Sequence, residues 1–121
     1  MITDEHINKL QERIGRLKTY LEIDKKNIEI SNEEELTGNP SFWNNPKEAE
    51  VVMRNLRFKK KWVEDFNFIL TNFDELTVLL DFYAEGEVTD KEVEQQYDSL
   101  LLLLEDLEFK NMLSDECDNL S

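Results

Sequence analysis

Residues 46–86 read PKEAEVVMRNLRFKKKWVEDFNFILTNFDELTVLLDFYAEG, with no glycine or proline between Pro46 and Gly86. Asn45 stands where a helix N-cap belongs. Pro46 stands at the first helical position, where a missing N–H costs nothing. Val52, Leu56, Val63, Phe66, Leu70 and Phe73 recur at steps of three, four or seven. A neighbouring stripe runs through Trp62, Phe66, Ile69, Phe73, Leu76, Leu80 and Tyr83. These steps are the period of an α-helix and predict one helix over about 46–85. Two adjacent stripes make an apolar face wide enough for two partner helices. Gly86 is the expected stop.

Working outward from this helix, both flanks read the same way. Upstream, Thr3 can cap a helix, with Asp4 and Glu5 in its positive first turn. Ile2 and Ile7 occupy the positions of a hydrophobic staple. Ile7, Leu10, Ile14, Leu17 and Leu21 form a seam. Its next position is the polar Asp24, Ile28 resumes the register, and Ile23 with Ile30 offers a second stripe. Gly15 weakens such a helix by about 1 kcal/mol and reads as a point of close packing. Thr37-Gly38-Asn39-Pro40 is a stop, so this helix is expected over about 3–36.

Downstream, Thr89 and Glu92 make a capping box, with Val88 and Val93 as its staple. Val93, Tyr97, Leu100, Leu104 and Leu107, widened by Leu101 and Leu103, predict a third helix over about 89–113. The expected fold is all-α: three long antiparallel helices in an up-down-up bundle over 1–113, with coiled-coil-like seams. A polar tail occupies 114–121.

The charge is one-sided. The formal net charge is −14, and 35% of residues are charged. Residues 1–61 hold 12 Lys/Arg and 11 Asp/Glu, a net of +1. Residues 62–121 hold 2 and 17, a net of −15. The second half repels phosphate, so any nucleic-acid contact must use the first, and DNA is not an expected partner. The longest apolar run is Leu100 to Leu104, too short to span a bilayer. One cysteine, Cys117, excludes an intrachain disulfide. With no signal peptide legible at the start, the cytoplasm is the expected compartment.

Little here points to catalysis. The one histidine, His6, reads as a surface residue at a helix start. No second histidine exists for a zinc or di-iron site. Glu105 and Glu108, or Glu48 and Glu50, have spacings that arise by chance among 28 acids. No metal or cofactor is expected. Cys117 sits among carboxylates, which disfavour a reactive thiolate. The three glycines are too scattered for a phosphate loop.

The main charged feature is Arg54, Arg57, Lys59, Lys60 and Lys61. It could bind RNA phosphate or an acidic partner. Its plainer reading is a solvated face, or an electrostatic counterpart to the acidic third helix. No aromatic interleaving is read in it that would mark a nucleic-acid platform. Phe42 and Trp43, in the turn Pro40-Ser41-Phe42-Trp43-Asn44-Asn45-Pro46, read as a cap on the core. Their alternative is an exposed anchor for a partner.

Three segments in order carry a resemblance. They are Tyr20-Leu21-Glu22-Ile23-Asp24-Lys25-Lys26 followed by the acidic Glu33-Glu34-Glu35, the turn Asn39-Pro40-Ser41-Phe42-Trp43-Asn44-Asn45-Pro46-Lys47-Glu48-Ala49, and Leu104 to Ser114. Together they resemble the N-terminal helical domain of bacterial peptide chain release factor 2, in the class I release factor family. The resemblance implies stop-codon-dependent translation termination. It also implies a domain that positions the factor near the stalk base of the large ribosomal subunit. The family's stop-codon tripeptide and Gly-Gly-Gln hydrolysis loop lie in later domains. No Gly-Gly pair occurs here, so catalysis is not carried onto these residues. The competing expectation is a free-standing helical adaptor, and self-association fits both.

Overall fold

The computed structural model describes residues 1–120, with side chains described through Ser114. The expected polar tail over 114–121, including Cys117, thus lies almost wholly outside the residues described in full. Among the described residues the chain is all-helical, with no strand. Its elements are α1 (Asp4–Tyr20), α2 (Ile23–Thr37), a 3-10 turn (Pro40–Asn44), α3 (Pro46–Ala84) and α4 (Asp90–Leu120). The chain divides into two compact units. Unit one comprises Met1–Tyr20 and Phe66–Ser121, and unit two comprises Leu21–Asp65.

The first expected helix is two helices, which corrects the span 3–36. Glu22 takes a left-handed conformation, φ 52° and ψ 50°. This breaks the hydrogen-bond ladder after Tyr20. The Lys26 ammonium group donates to the carbonyl oxygen of Leu21, a group left over by the break. The break also resets the helical phase. Continued without interruption, the seam from Ile7 to Leu21 would place Asp24 and Ile28 inward. Instead Ile23 is 3% exposed and Ile28 is 64% exposed. A polar inward position is avoided, and the second stripe becomes the buried one.

The caps follow their local sequence. At α1, Thr3 Oγ1 accepts from the His6 N–H at 3.4 Å, and Thr3 N–H donates to His6 Nδ1 at 3.0 Å. His6 therefore fills the reciprocal place that glutamate takes in a capping box. At the end of α3, Gly86 adopts φ +77°. Glu87 N–H donates to the Phe82 carbonyl at 2.9 Å and Gly86 N–H to that of Tyr83 at 3.0 Å, the Schellman pattern. At α4, Thr89 and Glu92 exchange bonds of 2.8 and 3.2 Å, the expected capping box.

Among the described residues of unit one the buried side chains are Leu10, Ile14 and Leu17 of α1, Phe66, Ile69 and Leu76 of α3, and Val93, Leu100, Leu104 and Leu107 of α4. Contacts fix the directions of its helices. The Met1 amino group meets Glu94 at 3.1 Å, the His6 ring meets Tyr97 edge-on at 5.7 Å, and Arg13 meets Glu108. Partner numbers rise together along both segments, so α1 and α4 run parallel. The Gly86 turn returns α4 antiparallel to α3, and Gln96 Nε2 donates to the Asn72 carbonyl at 3.0 Å across that pair.

In unit two the buried apolar residues are Leu21, Ile23, Ala49, Leu56 and Val63. The two stripes of α3 are used in succession rather than together. The first serves unit two as far as Val63, and the second serves unit one from Phe66. Leu70, on the first stripe but within unit one, is exposed.

Candidate partner-binding surface

The five cations of the sequence cluster lie on one helix but not on one face. Successive residues on an α-helix turn by about 100°, so 59 points away from 54, 57 and 61, while 60 lies at the flank, about 60° from 57. Lys59 is turned toward α2, where its Nζ lies 2.7 Å from Glu29 and 2.6 Å from Glu33. Lys60 meets Glu34 at 3.4 Å. The glutamate hydrogen bonds, with Glu29 first and Glu33 second, raise the Lys59 pKa. The hydrogen bond from Lys59 lowers that of Glu29. One oxygen of Glu33 is buried without a partner, so a single ammonium group serves two carboxylates incompletely.

This corrects one expectation. The electrostatic counterpart of Lys59 and Lys60 is α2, not the acidic last helix. The signal was present as Glu29 and Glu33, four residues apart, with Glu34 beside them. What hid it was the phase change at Glu22, which decides that Glu33 faces inward.

The other three cations face outward. Arg54 pairs with Glu50 at 3.0 Å and Lys61 with Asp65 at 2.9 Å, each one turn along the same helix. The bond to Asp65 raises the pKa of Lys61. Arg57 is exposed and has no ion pair among the described residues. Phe58 stands among these cations, 60% exposed and edge-on to Trp62 at 6.2 Å. An aromatic does interleave the cluster, contrary to the sequence reading.

The signature turn is a 3-10 helix from Pro40 to Asn44. Asn39 Oδ1 accepts from the Ser41 N–H at 3.0 Å, and Asn45 Oδ1 from the Glu48 N–H at 3.3 Å. Pro46 is the first residue of α3. Phe42 is half-buried and meets Trp43 edge-on at 4.9 Å. Trp43 is 53% exposed, so it does not cap the core. Its indole N–H donates to the Thr37 carbonyl at 3.1 Å, tying the end of α2 to the turn.

In unit one a groove between α1 and α4 is lined by Arg13, Arg16, Leu17, Tyr20, Glu108 and Met112. Arg13 grips Glu108 through two bonds, of 3.3 and 2.5 Å. That grip raises the Arg13 pKa. Its guanidinium is therefore already engaged. No helix among the described residues is long and apolar enough to cross a membrane.

No protein-family model matches the chain. Curated proteins do. It is 28% identical over 116 residues to peptide chain release factor 2 of Nautilia profundicola, covering 94% of this chain and 32% of that protein. It is 25% identical over 117 residues to peptide chain release factor 2 of Streptomyces avermitilis, covering 95% and 32%. A third relative of that name, from Tolumonas auensis, is 27% identical over 114 residues, covering 93% and 31%. The chain spans about a third of the length of these curated relatives. The resemblance read from the three ordered segments therefore holds along nearly the whole chain.

Proposed function

We propose that this chain is the N-terminal helical domain of a peptide chain release factor, acting in stop-codon-dependent translation termination in the cytoplasm. The observation that carries this is end-to-end similarity to release factor 2 from separate bacteria, at a share of about a third of each. In this reading residues 1–113 work as one domain that docks and positions the factor on the ribosome near the stalk base of the large subunit. Hydrolysis of peptidyl-tRNA belongs to other parts of the factor. Within unit one, parallel α1 and α4 and the reversal at Gly86 support the up-down-up order.

The docking surface in this proposal is the outward part of the cluster, Arg54, Arg57 and Lys61, with Lys59 and Lys60 holding α2 against α3. The signature turn Pro40, Phe42, Trp43, Asn45 and Pro46 sets the start of α3 and so the phase of those cations. Sedimentation of the chain with large ribosomal subunits at low salt tests the reading. Binding that full-length release factor 2 displaces, and that Arg57→Glu weakens, is the expected result. No co-sedimentation at low salt overturns docking by this domain.

A further inference from the structure

The outward face of the first half of α3 carries two rows at seven-residue spacing. Lys47, Arg54 and Lys61 form one, and Val51 and Phe58 form the other. A seven-residue repeat keeps each row on one side of a helix. Val51 and Phe58 are both exposed. The ion pairs of Arg54 with Glu50 and Lys61 with Asp65 are exposed and local, the kind that contribute little and exchange readily. Lys47 has no ion pair among the described residues. This face is apolar with a basic edge.

The outward face of α4 has the converse character. Leu102 and Phe109 are seven residues apart, and Leu113 follows one turn later. Leu102 is 67% exposed and Phe109 is 58% exposed. They point away from Leu100, Leu104 and Leu107, which fill the core. Asp98, Glu105 and Asp106 lie between and beside them, with Lys110 the nearest cation, paired to Asp106 at 3.1 Å. This face is apolar with an acidic edge. The two faces also match in length, about 21 Å from Lys47 to Lys61 and about 22 Å from Asp98 to Leu113.

Exposed apolar rows edged by charge of one sign suit association with a surface of the opposite sign. We infer that these faces bind each other between two copies of the chain. Val51 and Phe58 of one copy meet Leu102, Phe109 and Leu113 of the other, with Arg54 and Lys61 set against Glu105 and Asp106. The division of charge along the chain, +1 before residue 62 and −15 after, gives the pairing its polarity. The inference does not depend on the release factor reading. Each copy offers both faces, so the pair either closes as a dimer or extends head to tail.

Sedimentation velocity on the 121-residue chain, over a range of concentration and salt, tests it. Reversible association that weakens as salt rises is expected. Arg54→Glu with Lys61→Glu should weaken it by about a hundredfold, and so should Glu105→Lys with Asp106→Lys. Mixing these two double variants should restore association, because the acidic α3 of the first then meets the basic α4 of the second. A folding defect cannot produce that rescue. A wild-type chain that stays monomeric throughout overturns the inference, as does a mixture that stays monomeric while each variant keeps wild-type helical circular dichroism.

Discussion

Glu22 and Gly15 carry opposite lessons about side chains on helices. Glu22 holds φ 52° with a Cβ, a conformation that costs an L-residue about 1–2 kcal/mol. Glu22→Gly should raise stability by about 0.5–1 kcal/mol, the relief of strain exceeding the extra freedom of the unfolded chain. Chemical denaturation reads this directly, and a loss would mean that the Glu22 side chain holds the break. Gly15 lies in the middle of α1, and a Cβ built there meets nothing within 4 Å. The close packing expected at Gly15 is absent, so Gly15→Ala should stabilise by about 1 kcal/mol. A lower thermal midpoint would contradict that. Trp43 belongs with these two: its indole bond to Thr37 is a surface tie, and no rule of composition separates such a tryptophan from a core one.

At the scale of the element, α2 is the exception. Its side chains turned inward or half-covered are Ile23, Lys26, Glu29, Ile30, Glu33 and Thr37, and of these only Ile23 is buried. An amphipathic helix ordinarily holds on by an apolar stripe. This one holds on in part by Lys59 between Glu29 and Glu33. Lys59→Ala removes two charge-assisted bonds and should cost about 2 kcal/mol at neutral pH. The pH dependence follows from the directions of the shifts. The Glu29 pKa is lowered in the fold, so its contribution is full above the ordinary carboxylate value and lost as pH falls through the lowered one. The Lys59 pKa is raised, so its contribution is full below the ordinary lysine value and lost only as pH climbs through the raised one. The difference in stability between wild type and Lys59→Ala should thus be flat from about pH 5 to 10 and shrink below about pH 4. A difference that persists at pH 3 would mean that Lys59 acts through packing of its stem instead.

At the scale of the whole molecule, α2 buries only Ile23, whereas among the described residues α4 buries Val93, Leu100, Leu104 and Leu107. Local opening follows such contrasts, because segments with few buried contacts unfold at lower cost. Amides of α2 should therefore exchange with solvent fastest among the four helices, and those around Leu100 and Leu104 slowest. Hydrogen exchange by mass spectrometry measures both, and equal protection in α2 and α4 would refute the ranking. By itself the sequence determined the helical class, the run of α3, the stop at Gly86, the capping box at Thr89 and the resemblance to release factor 2. Each of these rests on local spacing, and local spacing is written in the order of residues. Only the tertiary structure decided the break at Glu22, the burial of Ile23 rather than Ile28, and the pairing of Lys59 and Lys60 with α2 while Arg54, Arg57 and Lys61 face outward. The physical reason is common to all three. They depend on the rotational phase of one helix against another, which a single left-handed residue resets and which no local period records.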